Sequence, residues 1–188
     1  MRNFLRALII GIIATVASQS PAAEVWRQGE FRGTVILTVT GNVALPTRHG
    51  SSEDVDKFFM FNGITFDKAA QFDVATLQAL PQVTVNADFP KGGLVYAFEG
   101  PLLKDVLESV GAMGEVVTIR ALNGYAVDIP LAEAYAAGAV VALKRDGIPF
   151  AIGDFGPIHV VFPRADRADL ADMNDDWWVW SVYHIHVE

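Results

Sequence analysis

Apolar and β-branched positions concentrate first in residues 34–40, Thr34-Val35-Ile36-Leu37-Thr38-Val39-Thr40, and stop at Gly41-Asn42. That pattern predicts a strand followed by a turn. Residues 44–57 hold Pro46, Gly50, two serines and several charges, and read as a surface loop. Phe72-Asp73 opens a short helix with Asp73 as N-cap and Ala75, Leu77 and Leu80 facing inward before Pro81. Strands are expected at 83–85 and 94–98, joined through Pro90-Lys91-Gly92-Gly93. The most regular helical spacing is Leu103, Val106, Leu107 and Val110, with Pro101 in the first turn and Gly111 as the stop.

Further strands are predicted at 116–120 and 125–129, a small helix at 131–137 ending at Gly138, then strands at 140–143 and 158–162. Arg145-Asp146-Gly147 reads as a turn, and residues 177–187 as one last strand. Within that strand, alternation sends Trp178 and Trp180 to one face and Trp177 to the other. Strands outnumber short helices and no βαβ repeat exists, so the predicted class is α+β with mixed β-sheets.

The first residues change the picture. Arg2 and Arg6 precede an apolar run from Ala7 to Val16, and small residues follow to Ala23. This is the pattern of a secretory signal peptide over residues 1–23, too short to span a bilayer comfortably. The expectation is a periplasmic protein whose single domain covers residues 24–188. The net charge of −8 becomes more negative once Arg2 and Arg6 are removed, which argues against a nucleic-acid partner. The absence of cysteine excludes disulfides, thiolate nucleophiles, zinc–thiolate sites and iron–sulfur ligation. No phosphate loop, nucleophile elbow or zincin helix occurs, so no catalytic residue is nominated.

Three sets of side chains carry candidate chemistry. His184 and His186 share a strand face, a spacing open to a metal, but with no third ligand evident they read first as two incidental histidines on an exposed strand. The tryptophans of 177–180 offer core packing or a stacking platform. Asp88, Glu99, Asp128 and Asp154 are carboxylates able to accept paired hydrogen bonds from an amidine-like edge.

The order of several segments resembles the molybdopterin-binding oxidoreductase family of the sulfite-oxidase fold. They are Phe98-Glu99-Gly100-Pro101-Leu102-Leu103-Lys104-Asp105-Val106-Leu107, Gly124-Tyr125 with Pro130-Leu131, Asp146-Gly147-Ile148-Pro149, and the run from Phe155 to Pro163. The resemblance covers roughly residues 34–187 and implies that fold. Where the family's enzymes place a molybdenum-ligating cysteine, this chain has Val85-Asn86-Ala87-Asp88. Phe155 and His159 stand where those enzymes have a histidine and an arginine near the cofactor phosphate. The chain therefore looks most like the small periplasmic branch that binds a pterin without metal, the PruR type. What this implies is a non-catalytic regulator that holds a reduced pterin and reports it to a membrane-bound cyclic-di-GMP enzyme. The expected ligand-binding residues are Phe89, Asn123, Tyr125, Asp128, Asp154, His159 and Trp178, with Asp128 or Asp154 on the pyrimidinone edge. Two alternatives stand beside it: a molybdopterin-dependent oxidoreductase with an oxygen ligand such as Asp88, and a ligand-free interaction module.

Overall fold

The computed structural model describes residues 33–188; the export signal read over residues 1–23 lies outside them. The chain runs β1 (Val35–Gly41), β2 (Arg48–His49), α1 (Lys57–Phe61), β3 (Lys68–Asp73), α2 (Val74–Gln78), β4 (Gln82–Asp88) and β5 (Val95–Pro101). It continues through α3 (Leu103–Ser109), β6 (Val116–Ala121), β7 (Ala126–Pro130), α4 (Leu131–Ala137), β8 (Val140–Ala142), β9 (Lys144–Arg145) and β10 (Ile148–Pro149). The remaining elements are β11 (His159–Val161), a 3-10 turn (Ala168–Leu170) and β12 (Val182–Val187). Among the described residues no helix is long and apolar enough to cross a membrane.

Three sheets form: a six-stranded one in the order β2-β3-β1-β12-β6-β7, a four-stranded one in the order β10-β9-β5-β4, and the pair β11-β8. In the large sheet only β1 and β12 run parallel. A single core joins the sheets, with Leu37, Val39, Ile119 and Ile185 from the large sheet meeting Phe98, Val141 and Val160 from the others. Gly100 is required where β5 crosses β8, because a Cβ there would run into the carbonyl of Val141.

Period-two patterning explains the large sheet. In β6, Val117, Ile119 and Ala121 are buried in the core while Thr118 and Arg120 face the other way. The opposite face is polar. One row of paired residues crosses all six strands as Arg48, Ala69, Thr40, His186, Thr118 and Asp128. Beside it run Gln71, Thr38, His184, Arg120 and Ala126.

Local signals placed α2 and α4 well. Asp73 caps α2 by accepting from the Thr76 N–H at 2.7 Å, while the Thr76 hydroxyl accepts from the Asp73 N–H at 2.9 Å. Helix α4 ends at Gly138, which has φ +72°.

Four expectations change. Pro101 closes β5 instead of opening α3. Strand β3 and helix α1 were not foreseen: Lys-Ala-Ala-Gln has little β propensity, and α1 is a five-residue turn without a capping side chain. The last strand begins at Val182, because the Trp178 N–H donates to the Asp175 carbonyl and the Val179 N–H to that of Trp177, which turns the chain there. Alternation therefore fails for the tryptophans: Trp178 is buried, Trp177 half-buried and Trp180 exposed. Lastly, β12 is central, and both His184 Nε2 and His186 Nδ1 lie 2.8 Å from the Thr40 hydroxyl. Among the described residues no group of three or more His, Asp or Glu is placed to hold a metal.

Candidate functional site: an aromatic cleft between the sheets

Where the end of β6 meets the loop before β12, the chain leaves a cleft of about 350 Å³. Ala121 comes from the end of β6, Asn123 and Tyr125 from the β6–β7 turn, Phe89 from just after β4, and Asp175, Asp176, Trp178, Val179 and Trp180 from the loop. Its volume falls in the range of small-molecule sites.

The wall is pinned from behind by Arg164, whose side chain is 2% exposed. Its Nε donates to Asp88 Oδ1 at 2.6 Å, and one terminal nitrogen donates to Asp175 Oδ1 at 2.8 Å and to the Met173 carbonyl at 2.8 Å. The other donates to the Asp88 carbonyl. The guanidinium also lies 4.4 Å from the Trp178 ring centre. One buried cation thus ties β4 to the 173–178 loop. Trp178 in turn stacks on Phe89, with centroids 5.6 Å apart and planes 12° off parallel. Tyr125 closes the far side by donating its hydroxyl to the Asp176 carbonyl at 2.8 Å.

The polar groups at the cleft divide into committed and available. Asp175 is committed, to Arg164 through Oδ1 and to the Lys91 N–H through Oδ2 at 2.9 Å. Asn123 accepts from the Tyr125 N–H at 3.0 Å, which leaves its NH₂ free to donate. The exposed Asp176 carboxylate has no hydrogen-bond partner among the described residues. No lysine or arginine lines the cleft.

Four of the seven expected residues, Phe89, Asn123, Tyr125 and Trp178, come together here. The other three do not line it. Asp128 sits on β7, three residues and so roughly 10 Å along the strand from the turn, and it accepts from the Thr118 hydroxyl at 2.7 Å. Asp154 lies in a separate, smaller pocket with Tyr96, Arg145 and Asp146, and accepts from the N–H of Phe155. His159 is wholly buried one layer behind Phe89, whose ring centre is 4.7 Å away, and is stacked on Phe155 at 5.3 Å. Burial, helped by the Arg145 charge, pushes the His159 imidazole down to about 3, so it is neutral at ordinary pH. Sequence reasoning missed Asp175, Asp176 and the organising Arg164, and named Trp180 only among the tryptophans open to core packing or stacking. The available signal was the Asp175-Asp176 pair directly before the tryptophans.

The full molybdenum cofactor of the alternative reading does not fit these residues. The stretch that would supply its ligand has Ala87 buried in the core and Asn86 hydrogen-bonded to Asp166 at 2.6 and 2.9 Å. Asp88 is no substitute, because Oδ1 is held by Arg164 and Oδ2 accepts from the Gly92 N–H at 2.7 Å. Burial raises the Asp88 pKa, but the Arg164 and Gly92 hydrogen bonds and the Arg164 charge outweigh it and hold the carboxyl below its ordinary value. A phosphate tail would meet Asp175 and Asp176 with no cation on the cleft wall.

No family model matches the chain, and no curated protein matches it in sequence. Among solved structures it is similar to the sulfane dehydrogenase SoxCD from Paracoccus pantotrophus, with a TM-score of 0.56 and 14% identity over 80% of this chain. The match spans 37% of that chain. This likeness shows the fold: an α+β arrangement of mixed sheets and few short helices, of the sulfite-oxidase type.

Proposed function

We propose that the protein is a non-catalytic periplasmic binder of a reduced pterin without molybdenum. The observation that carries this reading is one cleft holding four aromatic side chains, an unpaired carboxylate and a free amide, with no basic group on its wall. The pterin ring enters among Phe89, Trp178, Trp180 and Tyr125, where stacking contributes about 1–3 kcal/mol per ring. Asp176 accepts the paired N–H groups of the pyrimidinone edge, the role that Asp128 or Asp154 was first expected to fill. The Asn123 NH₂ donates to a ring carbonyl or nitrogen. Protein made in its own periplasm is denatured, and the released small molecules are examined by fluorescence and mass spectrometry with molybdenum measured in parallel. A pterin without molybdenum supports the reading; stoichiometric molybdenum, or no released chromophore, overturns it.

The biological role proposed for this binder is regulation, with the loaded protein reporting pterin supply to the periplasmic part of a membrane-bound cyclic-di-GMP enzyme. Its support is the family resemblance in the ordered segments from Phe98 to Pro163. A change in cyclic-di-GMP on deleting this gene, absent when the pterin cannot be made, is the expected result.

A further inference from the structure

A pocket of about 140 Å³ opens beside the β9–β10 hairpin, with Tyr96, Arg145, Asp146, Ile148, Phe150 and Asp154 among its walls. We propose that it is a second ligand site, for a free α-amino acid with an apolar side chain. Its carboxylate would sit on Arg145 and its ammonium on Asp146 and Asp154. The pocket shares no lining residue with the aromatic cleft, so this site and the pterin site stand or fail separately.

Three charges are held in this pocket, each from its own direction, and none neutralises another. Asp146 and Gly147 have φ of +49° and +76°, the two-residue turn that Asp-Gly favours between antiparallel strands. That turn is docked on β5: the Asp146 N–H donates to the Ala97 carbonyl at 2.7 Å, and Asp146 Oδ1 accepts from the Ala97 N–H at 2.9 Å. Asp154 Oδ1 accepts from the Phe155 N–H. Each carboxylate thus has one oxygen tied to the backbone and Oδ2 left over, and both residues are exposed. Arg145 is held by rings instead, its guanidinium 4.8 Å from the Tyr96 ring centre and 5.2 Å from that of Phe155. It has no hydrogen-bond or ion-pair partner among the described residues, and none of its nitrogens is sealed from solvent. Arg48, Arg164 and Arg167 each take a carboxylate, whereas Arg145 takes neither of the two in its own pocket.

The complement of one open cation and two open carboxylates is a molecule that carries both charges close together. An α-amino acid has them on one carbon. Its carboxylate accepts a two-pronged pair from the guanidinium, and its ammonium has donors for both Oδ2 atoms. A simple anion would be repelled by the two aspartates, and a simple cation by Arg145. At about 30 Å³ for each water-sized group, the pocket has room for roughly five, the size of an amino acid's charged core. Phe150 and Ile148, which is 70% exposed, offer apolar surface to the side chain.

The test is an NMR titration of the isotope-labelled mature protein with L-valine, with N-acetyl-L-valine, which lacks the ammonium, and with L-valinamide, which lacks the carboxylate. L-valine should move the Arg145 Nε–H signal and the backbone signals of Ala97, Asp146 and Phe155. Each analogue should bind about tenfold more weakly, as expected for one lost charge-assisted pair. Asp154→Asn keeps the Oδ1 that accepts from Phe155, and should reduce the preference for L-valine over N-acetyl-L-valine while leaving that over L-valinamide. Arg145→Gln should do the reverse, with signals of the large sheet unmoved in both variants. The proposal is overturned if L-valine at about 10 mM leaves these signals in place, or if it moves only signals around Trp178 and Trp180. It is equally overturned if either analogue binds as well as L-valine, since the pocket would then read one charge and not two.

Discussion

Two buried arginines, Arg164 behind the aromatic cleft and Arg48 on the large sheet, are used differently. Arg164 spreads its donors over Asp88, Asp175 and two carbonyls, with no buried nitrogen left unpaired. Arg48 gives its two terminal nitrogens to one carboxylate and a carbonyl and leaves Nε unpaired. A saturated guanidinium fixes a wall and leaves recognition to its neighbours, here the rings and Asp176. An unsaturated one leaves a buried donor without a partner. The carboxylates differ as well: Asp56 is 6% exposed, whereas Asp88 and Asp175 are 20% and 30% exposed and keep some contact with water.

That difference orders the expected effects. Arg48→Met strands the buried Asp56 and should cost about 4 kcal/mol in urea unfolding, with much of the loss recovered by adding Asp56→Leu. Arg164→Met strands two partly hydrated carboxylates and should cost less, about 2 kcal/mol. It should also abolish ligand retention in the aromatic cleft, because the 173–178 loop loses its tie to β4. If Arg164→Met proves the more destabilising of the two, the contrast between them is wrong.

Acid should act on both regions through neutral buried histidines. His159 and His184 are both pushed from 6.5 down to about 3, chiefly by burial, with Arg145 adding to the effect on His159, and His186 and Arg120 on His184. The unfolded chain therefore binds more protons than the folded one between these values. Stability should fall as pH drops from about 6.5 towards 3, by on the order of a few kcal/mol for the two together. Equilibrium unfolding across that range checks it, and His159→Phe, which keeps the aromatic cage, should flatten the slope.

Smaller effects are confined to the ligand. Asp176→Asn should weaken pterin binding about tenfold, as expected for a lost charge-assisted pair at an exposed rim, with stability unchanged. Asp128→Asn should leave the dissociation constant where it was, since its partner is Thr118 on the sheet and not the cleft. Isothermal titration of the two variants side by side is the sharpest check on which carboxylate faces the ligand.

Much of the fold was legible because its signals are local. The Asp73 cap, the helical spacing of Leu103, Val106 and Leu107, and the Gly138 stop each act within a few residues, and all appear at their expected places. Strand β3 was hidden because Ala69, Ala70 and Gln71 owe their conformation to pairing with β1, not to propensity. At the site, rings were easier to nominate than acids. Phe89 and Trp178 reach the cleft because they border the core, whereas every carboxylate singled out beforehand is occupied elsewhere: Asp88 by Arg164, Glu99 by Lys144, Asp128 by Thr118 and Asp154 within its own loop.

The sequence by itself determined the α+β class, the absence of any thiolate chemistry and most element positions, since composition and short-range spacing are enough for these. Only the tertiary structure decided which side chains share a cleft. That choice depends on Arg164 drawing residues 173–178 against the end of β4, and on the register that sets Arg48 opposite Ala69 and Gln71 opposite Thr38 on neighbouring strands. Both are long-range pairings, set by the burial of one cation and the pleat of one sheet, and neither leaves a periodic mark along the chain.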